Sequence, residues 1–176
     1  MAILSSEKLA PVAGLEAYVM DPALHDWSSL LAPFSPPIPR EGQVILASFF
    51  GDVFVEDTDG AVWWLNGMEE RVDRIAISKD QFLQRLESEY VVMLKTKLVE
   101  ALIVEDKLIA AGRLYGLQKP RSEGGEYRTD NIGTAPIADA FAFMGQLFRK
   151  KNPLPQQPAP ATPEPKKKSG LWGKKK

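Results

Sequence analysis

The chain has no cysteine and a single histidine among its 176 residues. The first absence excludes a disulfide framework, a thiol nucleophile and a thiolate zinc site. The second excludes a two-histidine metal site and leaves any serine triad dependent on His25 alone. No nucleophile-elbow motif accompanies His25, which lies beside Asp26 in an expected first helix and reads as a surface residue rather than a base. The sequence does not open on a basic region followed by an apolar run, and no later run is long enough to span a bilayer. These features predict a soluble, cytoplasmic protein. Net charge is also nearly absent, at −1, but the balance conceals a division. Up to Phe148 there are thirteen bases against twenty-two acids, and from Arg149 onward nine bases against one acid, so the two parts carry −9 and +8. An acidic body repels nucleic acid and attracts a basic protein.

What is present is organised around a hairpin. Val53 and Val55 alternate with Asp52, Phe54 and Glu56, the period of a half-buried strand. Asp57-Thr58-Asp59-Gly60 supplies turn chemistry, and Val62-Trp63-Trp64-Leu65 returns as a second strand. Trp63 and Trp64 are adjacent, so they point to opposite faces, one inward and one outward. A strand from Val44 to Phe49 leads in and one from Arg71 to Ile77 leads out, which implies a largely antiparallel sheet.

Helices flank this core. Asp21-Pro22 is read as a helix start, with Leu24, Trp27, Leu30 and Leu31 as its apolar stripe. Pro33, Pro36, Pro37 and Pro39 then stop the helix and force an extended crossing to Gly42. Ser78-Lys79-Asp80-Gln81 fits a capping box before Phe82, Leu83, Leu86 and Tyr90. A second helical segment runs through Leu94, Leu98, Ala101 and Leu102, and Arg113 to Gln118 returns as a strand. Gly124-Gly125 marks a loop with no phosphate-binding context, since no Lys-Ser or Lys-Thr follows. Asn131 and Ile132 fall in a last strand, and Pro136 opens a helix carrying Ile137, Phe141, Met144 and Phe148. The reading is an α+β fold in three parts: a flexible N-terminus over 1–15, one domain over 16–151, and a disordered Pro-rich linker with a basic tail over 152–176.

The acids around the hairpin offer three roles. A calcium loop fails on spacing, because placing Gly60 at the sixth position puts Val55 where the first aspartate must stand. Asp57 and Asp59 shape the turn while Asp52 and Glu56 face solvent, or else these acids form a binding face for a basic partner, with Trp63 as a candidate anchor. The residues expected on that face are Asp52, Glu56, Asp57, Asp59, Trp63, Glu69 and Glu70. The tail lysines Lys166, Lys167, Lys168, Lys174, Lys175 and Lys176 flank Leu171 and Trp172. They are either a solvated solubility tail or a contact for anionic membrane, nucleic acid or the acidic body itself.

Phe49-Phe50-Gly51-Asp52, the alternating strand, the acidic turn ending in Gly60 and the aromatic strand closing in Leu65-Asn66 also carry a resemblance. So do Leu114-Tyr115-Gly116-Leu117, Gly124-Gly125-Glu126-Tyr127, Asn131-Ile132 and Phe143-Met144-Gly145-Gln146-Leu147, and upstream Tyr18 to Pro22 with Trp27. In order and spacing this set resembles a bacterial domain family typified by the C-terminal domain of a type VI secretion immunity protein that neutralises a DNase effector. The resemblance covers roughly 17–149 and implies a non-enzymatic, cofactor-free protein that binds a cognate toxin. It also implies structural roles for Gly51, Gly60, Gly116, Gly124, Gly125 and Gln146. The competing reading is a peripheral adaptor in which the domain is scaffold and the basic tail binds membrane or nucleic acid.

Overall fold

Val53, Phe54 and Val55 are all buried, although successive strand residues point to opposite faces. The central strand is therefore covered on both sides rather than half-exposed as its alternation suggests. The computed structural model describes residues 15–153. Five antiparallel strands follow in chain order: β1 (Val19–Met20), β2 (Gln43–Ser48), β3 (Val53–Glu56), β4 (Val62–Asn66) and β5 (Arg71–Ala76). A separate two-stranded sheet pairs β6 (Arg113–Leu117) with β7 (Ile132–Pro136). With helices α1 (Trp27–Leu31), α2 (Lys79–Met93), α3 (Thr96–Val104) and α4 (Ile137–Lys151), this is an α+β fold. Among the described residues no helix is long and apolar enough to cross a membrane.

The two faces of the large sheet bury different residues. Val53, Val55 and Leu65 pack under Leu31, Phe34, Phe141 and Phe148, so α1 and α4 cover this side. Phe54, Val62 and Trp64 pack under Phe82, Leu86 and Met93, so α2 covers the other. Phe54 stacks on Trp64 at 5.6 Å and meets Phe82 at 5.1 Å. Full burial of a side chain such as Phe82 is worth about 1.5–3 kcal/mol. A register shift between Val44 and Leu46 lets Ile45 and Leu46 enter the same side, which strict alternation forbids. A third cluster of Phe50, Met68, Val99, Leu102, Tyr115 and Ile132 joins the sheet end to α3 and the small sheet.

Local chemistry sets the boundaries. Ser78 caps α2 by accepting from the Gln81 N–H at 3.3 Å. The Gln81 side chain reaches back one residue further than a capping box requires, accepting from the Ile77 N–H at 2.8 Å. Asp21 caps only a three-residue 3-10 turn, Pro22–Leu24, and the helix expected there begins at Trp27. Asp26 is the cap that prevails, because its carboxylate also accepts from the Ser28 and Ser29 hydroxyls at 2.6 and 2.7 Å. His25 consequently sits between the two elements in extended backbone, half-buried and edge-on to Trp27 at 5.6 Å. Leu24, expected on the apolar stripe, is 74% exposed.

The proline segment is not an extended crossing either. Pro33 enters a second 3-10 turn, Ala32–Phe34, and Phe34 and Ile38 are buried from this curled segment. Its first-turn position needs no N–H, so the missing donor costs nothing there. Asn131 ends the 3-10 turn Thr129–Asn131, and β7 begins at Ile132. Leu15, assigned by sequence to a flexible N-terminus, is 1% exposed in the α2-side core. The remainder of that stretch and the basic tail from Leu154 onward lie outside the described residues.

Candidate functional site

The acids expected to form one face are distributed through the fold and mostly engaged within it. Asp52 is 0% exposed rather than solvent-facing. It accepts from Ser48 Oγ at 2.8 Å, from Trp64 Nε1 at 3.4 Å and from Lys95 Nζ at 2.8 and 2.7 Å. Lys95 lies at the corner between α2 and α3 in left-handed backbone (φ 54°). A non-glycine residue bears about 1–2 kcal/mol in that conformation. Charge pairing and the backbone corner thus lock Asp52 into the scaffold.

Asp57 organises the β3–β4 turn. Its carboxylate accepts from the Asp59 and Ala61 N–H groups, both at 2.9 Å, and from Trp63 Nε1 at 2.8 Å. The indole bond, with help from the backbone donors, holds the Asp57 carboxyl below its ordinary range. Gly60 closes the turn at φ 83°, as its position in the sequence predicts. Trp63 and Trp64 do take opposite faces, but Trp63 is half-buried against the α1–α4 side rather than free beside the acids. Glu56 pairs with Lys79 at 3.5 Å, while Asp59 is exposed at the turn tip.

Glu69 and Glu70 belong to the opposite end of β4, in the turn to β5, so they cannot share a compact patch with Asp57 and Asp59. Glu70 is 3% exposed, has φ 54° and accepts from Ser122 Oγ at 2.8 Å. Glu69 accepts from the Tyr127 hydroxyl and lies 3.7 Å from Arg121 Nε. Partial desolvation of Tyr127, which stays 39% exposed, and then its bond to Glu69 raise that phenol's pKa above the usual tyrosine value. Lys151 Nζ reaches the Glu69 carbonyl at 3.0 Å, tying the end of α4 to the same turn.

What the structure does bring together is an apolar cleft of about 350 Å³ beside this turn. One wall is α4, with Ala140, Phe143, Met144 and Leu147; the other is the β6–β7 hairpin; Phe50 and Met68 lie between. Gly116 and Gly133 stand opposite each other in the ladder; the wall is bare at Gly116, while the Gln118 side chain lies against Gly133. A Cβ at Gly116 would meet nothing within 4 Å. Met144 is seated in a notch made by Gly51 and Gly67, where added Cβ atoms would come within 2.8 and 2.4 Å of its side chain. Phe143 is 46% exposed, and Asp139, Glu70, Gln118 and Thr134 supply the polar groups of the lining. The arrangement suits an apolar side chain or short segment entering from solvent.

Of the residues marked structural by sequence, Gly51 and Gly116 belong to this cleft and its notch, and Gly124 ends a 3-10 turn at φ 84°. Gly125 lets the loop close on itself, since a Cβ there would fall 1.8 Å from the Lys119 carbonyl oxygen. Gln146 is exposed on α4. Phe143, in the lining of the cleft, is not among the site residues that the sequence predicts. Its signal was an aromatic side chain off the stripe of Ile137, Phe141, Met144 and Phe148. Among the described residues no group of three or more histidine or carboxylate side chains is placed to hold a metal ion.

No family model matches the chain, and no curated protein matches it. Among solved structures it is similar to the crystal structure of Atu4351 from Agrobacterium tumefaciens, with a TM-score of 0.52 and 16% sequence identity. The match covers 73% of this chain and 65% of that one, and at this identity it is a likeness of fold.

Proposed function

We propose that this chain is a stoichiometric protein-binding module of the immunity type, acting in the cytoplasm without catalysis on a basic toxin such as a nuclease. The observation that carries this reading is the solvent-open apolar cleft, with Phe143 exposed among its lining residues, set in a strongly acidic body. An aromatic side chain in a desolvated recess is the kind of contact that concentrates binding energy, and complementary charge accelerates encounter. The resemblance of the ordered motifs to the immunity-protein domain family points the same way. The proposed contact surface is centred on the cleft, whose lining includes Glu70 of the seven residues expected from sequence, while Asp52 is enclosed by the scaffold.

Tagged full-length protein recovered from its own cells tests this directly, with Phe143→Asp and Gly116→Val run in parallel. One stoichiometric protein captured by the wild type and lost from both variants supports the proposal. Equal capture by all three moves the contact away from the cleft. Recovery of lipid or nucleic acid alone, lost when 154–176 are removed, transfers function to the tail and favours the adaptor reading.

A further inference from the structure

The cleft is bounded by the same helix from which the chain leaves the described body. Phe143 lies eight residues before Lys151, roughly 12 Å along the α4 axis. Beyond Pro153 the sequence continues for 23 residues. Its large apolar side chains are Leu154, next to the exit, and the adjacent pair Leu171 and Trp172, flanked by Ser169-Gly170 and Gly173 and beyond these by three lysines on each side. The geometry points to the cleft as an intramolecular receptor for this Leu171-Trp172 segment in the free protein.

Reach, shape and charge each support the assignment. The residues from Leu154 to Gly170 have an extended contour of roughly 55 Å, several times the distance from the end of α4 to the cleft. A tether of this kind places its end at an effective concentration on the order of millimolar, so a weak contact is occupied without tight affinity. The wall is open at Gly116 and bordered at Gly133 by the Gln118 side chain, which leaves room for a flat indole over Gly116, and Phe143 and Leu147 can cover its other face. Six lysines surround the pair, while the described body they approach holds 15 bases against 21 acids, a net of −6 that includes Arg149, Lys150 and Lys151 at the end of α4, with Asp139 among the exposed residues of the cleft. The nearby cation Arg121 is already held by the Gly125 carbonyl at 2.6 Å and by Glu69. An apolar pair between basic clusters meets an apolar recess in an acidic surface. Bound there, the segment competes with any partner for the cleft. The assignment concerns the free chain, so it stands or falls independently of the toxin.

The absence of cysteine makes the test clean. A nitroxide on Ser169→Cys in the full chain is the sole label, and its paramagnetic broadening is read on backbone amides by NMR. The expected result is loss of more than half the signal at Gly116, Gln118, Phe143 and Leu147, with Asp59 and Asp80 unaffected. Leu171→Ser with Trp172→Ser restores those signals, and Gly116→Val, which fills the recess without touching the tail, restores them too. Broadening spread over the acidic body, unchanged by the serine substitutions and abolished by salt, overturns the assignment in favour of charge attraction alone. Absence of broadening overturns it as well. So does broadening of isotope-labelled chains by separate nitroxide-labelled ones at equal strength, which identifies a second copy as the receptor.

Discussion

Lys95 donates to both carboxylate oxygens of Asp52, at 2.8 and 2.7 Å, across 43 residues of sequence. Asp52 is wholly enclosed and Lys95 nearly so, with side-chain exposures of 0% and 11%. Removing one member therefore strands a buried charge. Lys95→Met is expected to destabilise the fold by about 3–5 kcal/mol. Combining it with Asp52→Asn should recover a large part of that loss, because no uncompensated charge remains. Urea unfolding of the wild type, both single variants and the double variant checks the pattern. Equal additive losses would mean that the pair is not coupled.

That pair also marks where sequence reading reached its limit. The β3–β4 hairpin was legible because Asp57 and Gly60 act within four residues of each other, and α2 was legible because Ser78 caps it locally. Asp52 looked like the solvent side of an alternating strand because its cation arrives from a corner far along the chain. Glu70 likewise meets a partner distant in sequence, Ser122 being 52 residues away. The cleft was hidden because it depends on the Gly116–Gly133 register between strands separated by a loop. Competing local signals account for the displaced start of α1: Asp21 and Asp26 are both adequate caps, and only the serines beside Asp26 decide between them.

Two glycines that look alike in sequence should respond differently. Gly125→Ala drives a methyl into the Lys119 carbonyl, so the loop must open and stability should fall by roughly 2 kcal/mol or more. Gly116→Ala projects into open space and should stay within about 0.5 kcal/mol of wild type. Thermal melts of the two variants distinguish these outcomes. A neutral Gly125→Ala would contradict the described loop.

Acid should weaken the hairpin turn through Asp57. Its carboxyl is held below the ordinary range, chiefly by the Trp63 indole, so its contribution is present above the ordinary value near pH ~4 and is lost as pH falls through the lowered one. Asp57→Asn is expected to melt below wild type at neutral pH, and the gap should narrow steadily below about pH 4. A gap independent of pH would show that the carboxylate charge does not matter to the turn.

Phe143 should matter to binding and little to folding. It is 46% exposed, whereas its neighbour in the helix Phe141 is 1% exposed in the core between α4 and the sheet. Phe143→Ala should change stability by well under 1 kcal/mol, while Phe141→Ala should cost about 3–5 kcal/mol. Chemical denaturation of the two variants measures the contrast. Comparable losses would place Phe143 in the core rather than beside the cleft.

The most direct measurement of the central claim is hydrogen exchange of the full chain with and without its captured protein partner. The account predicts slowed exchange in β6, β7 and the segment of α4 around Phe143, with the β3–β4 turn at Asp57 to Gly60 unchanged. Protection confined to that turn, or to the outer face of α2, would contradict the assignment of the cleft as the binding surface.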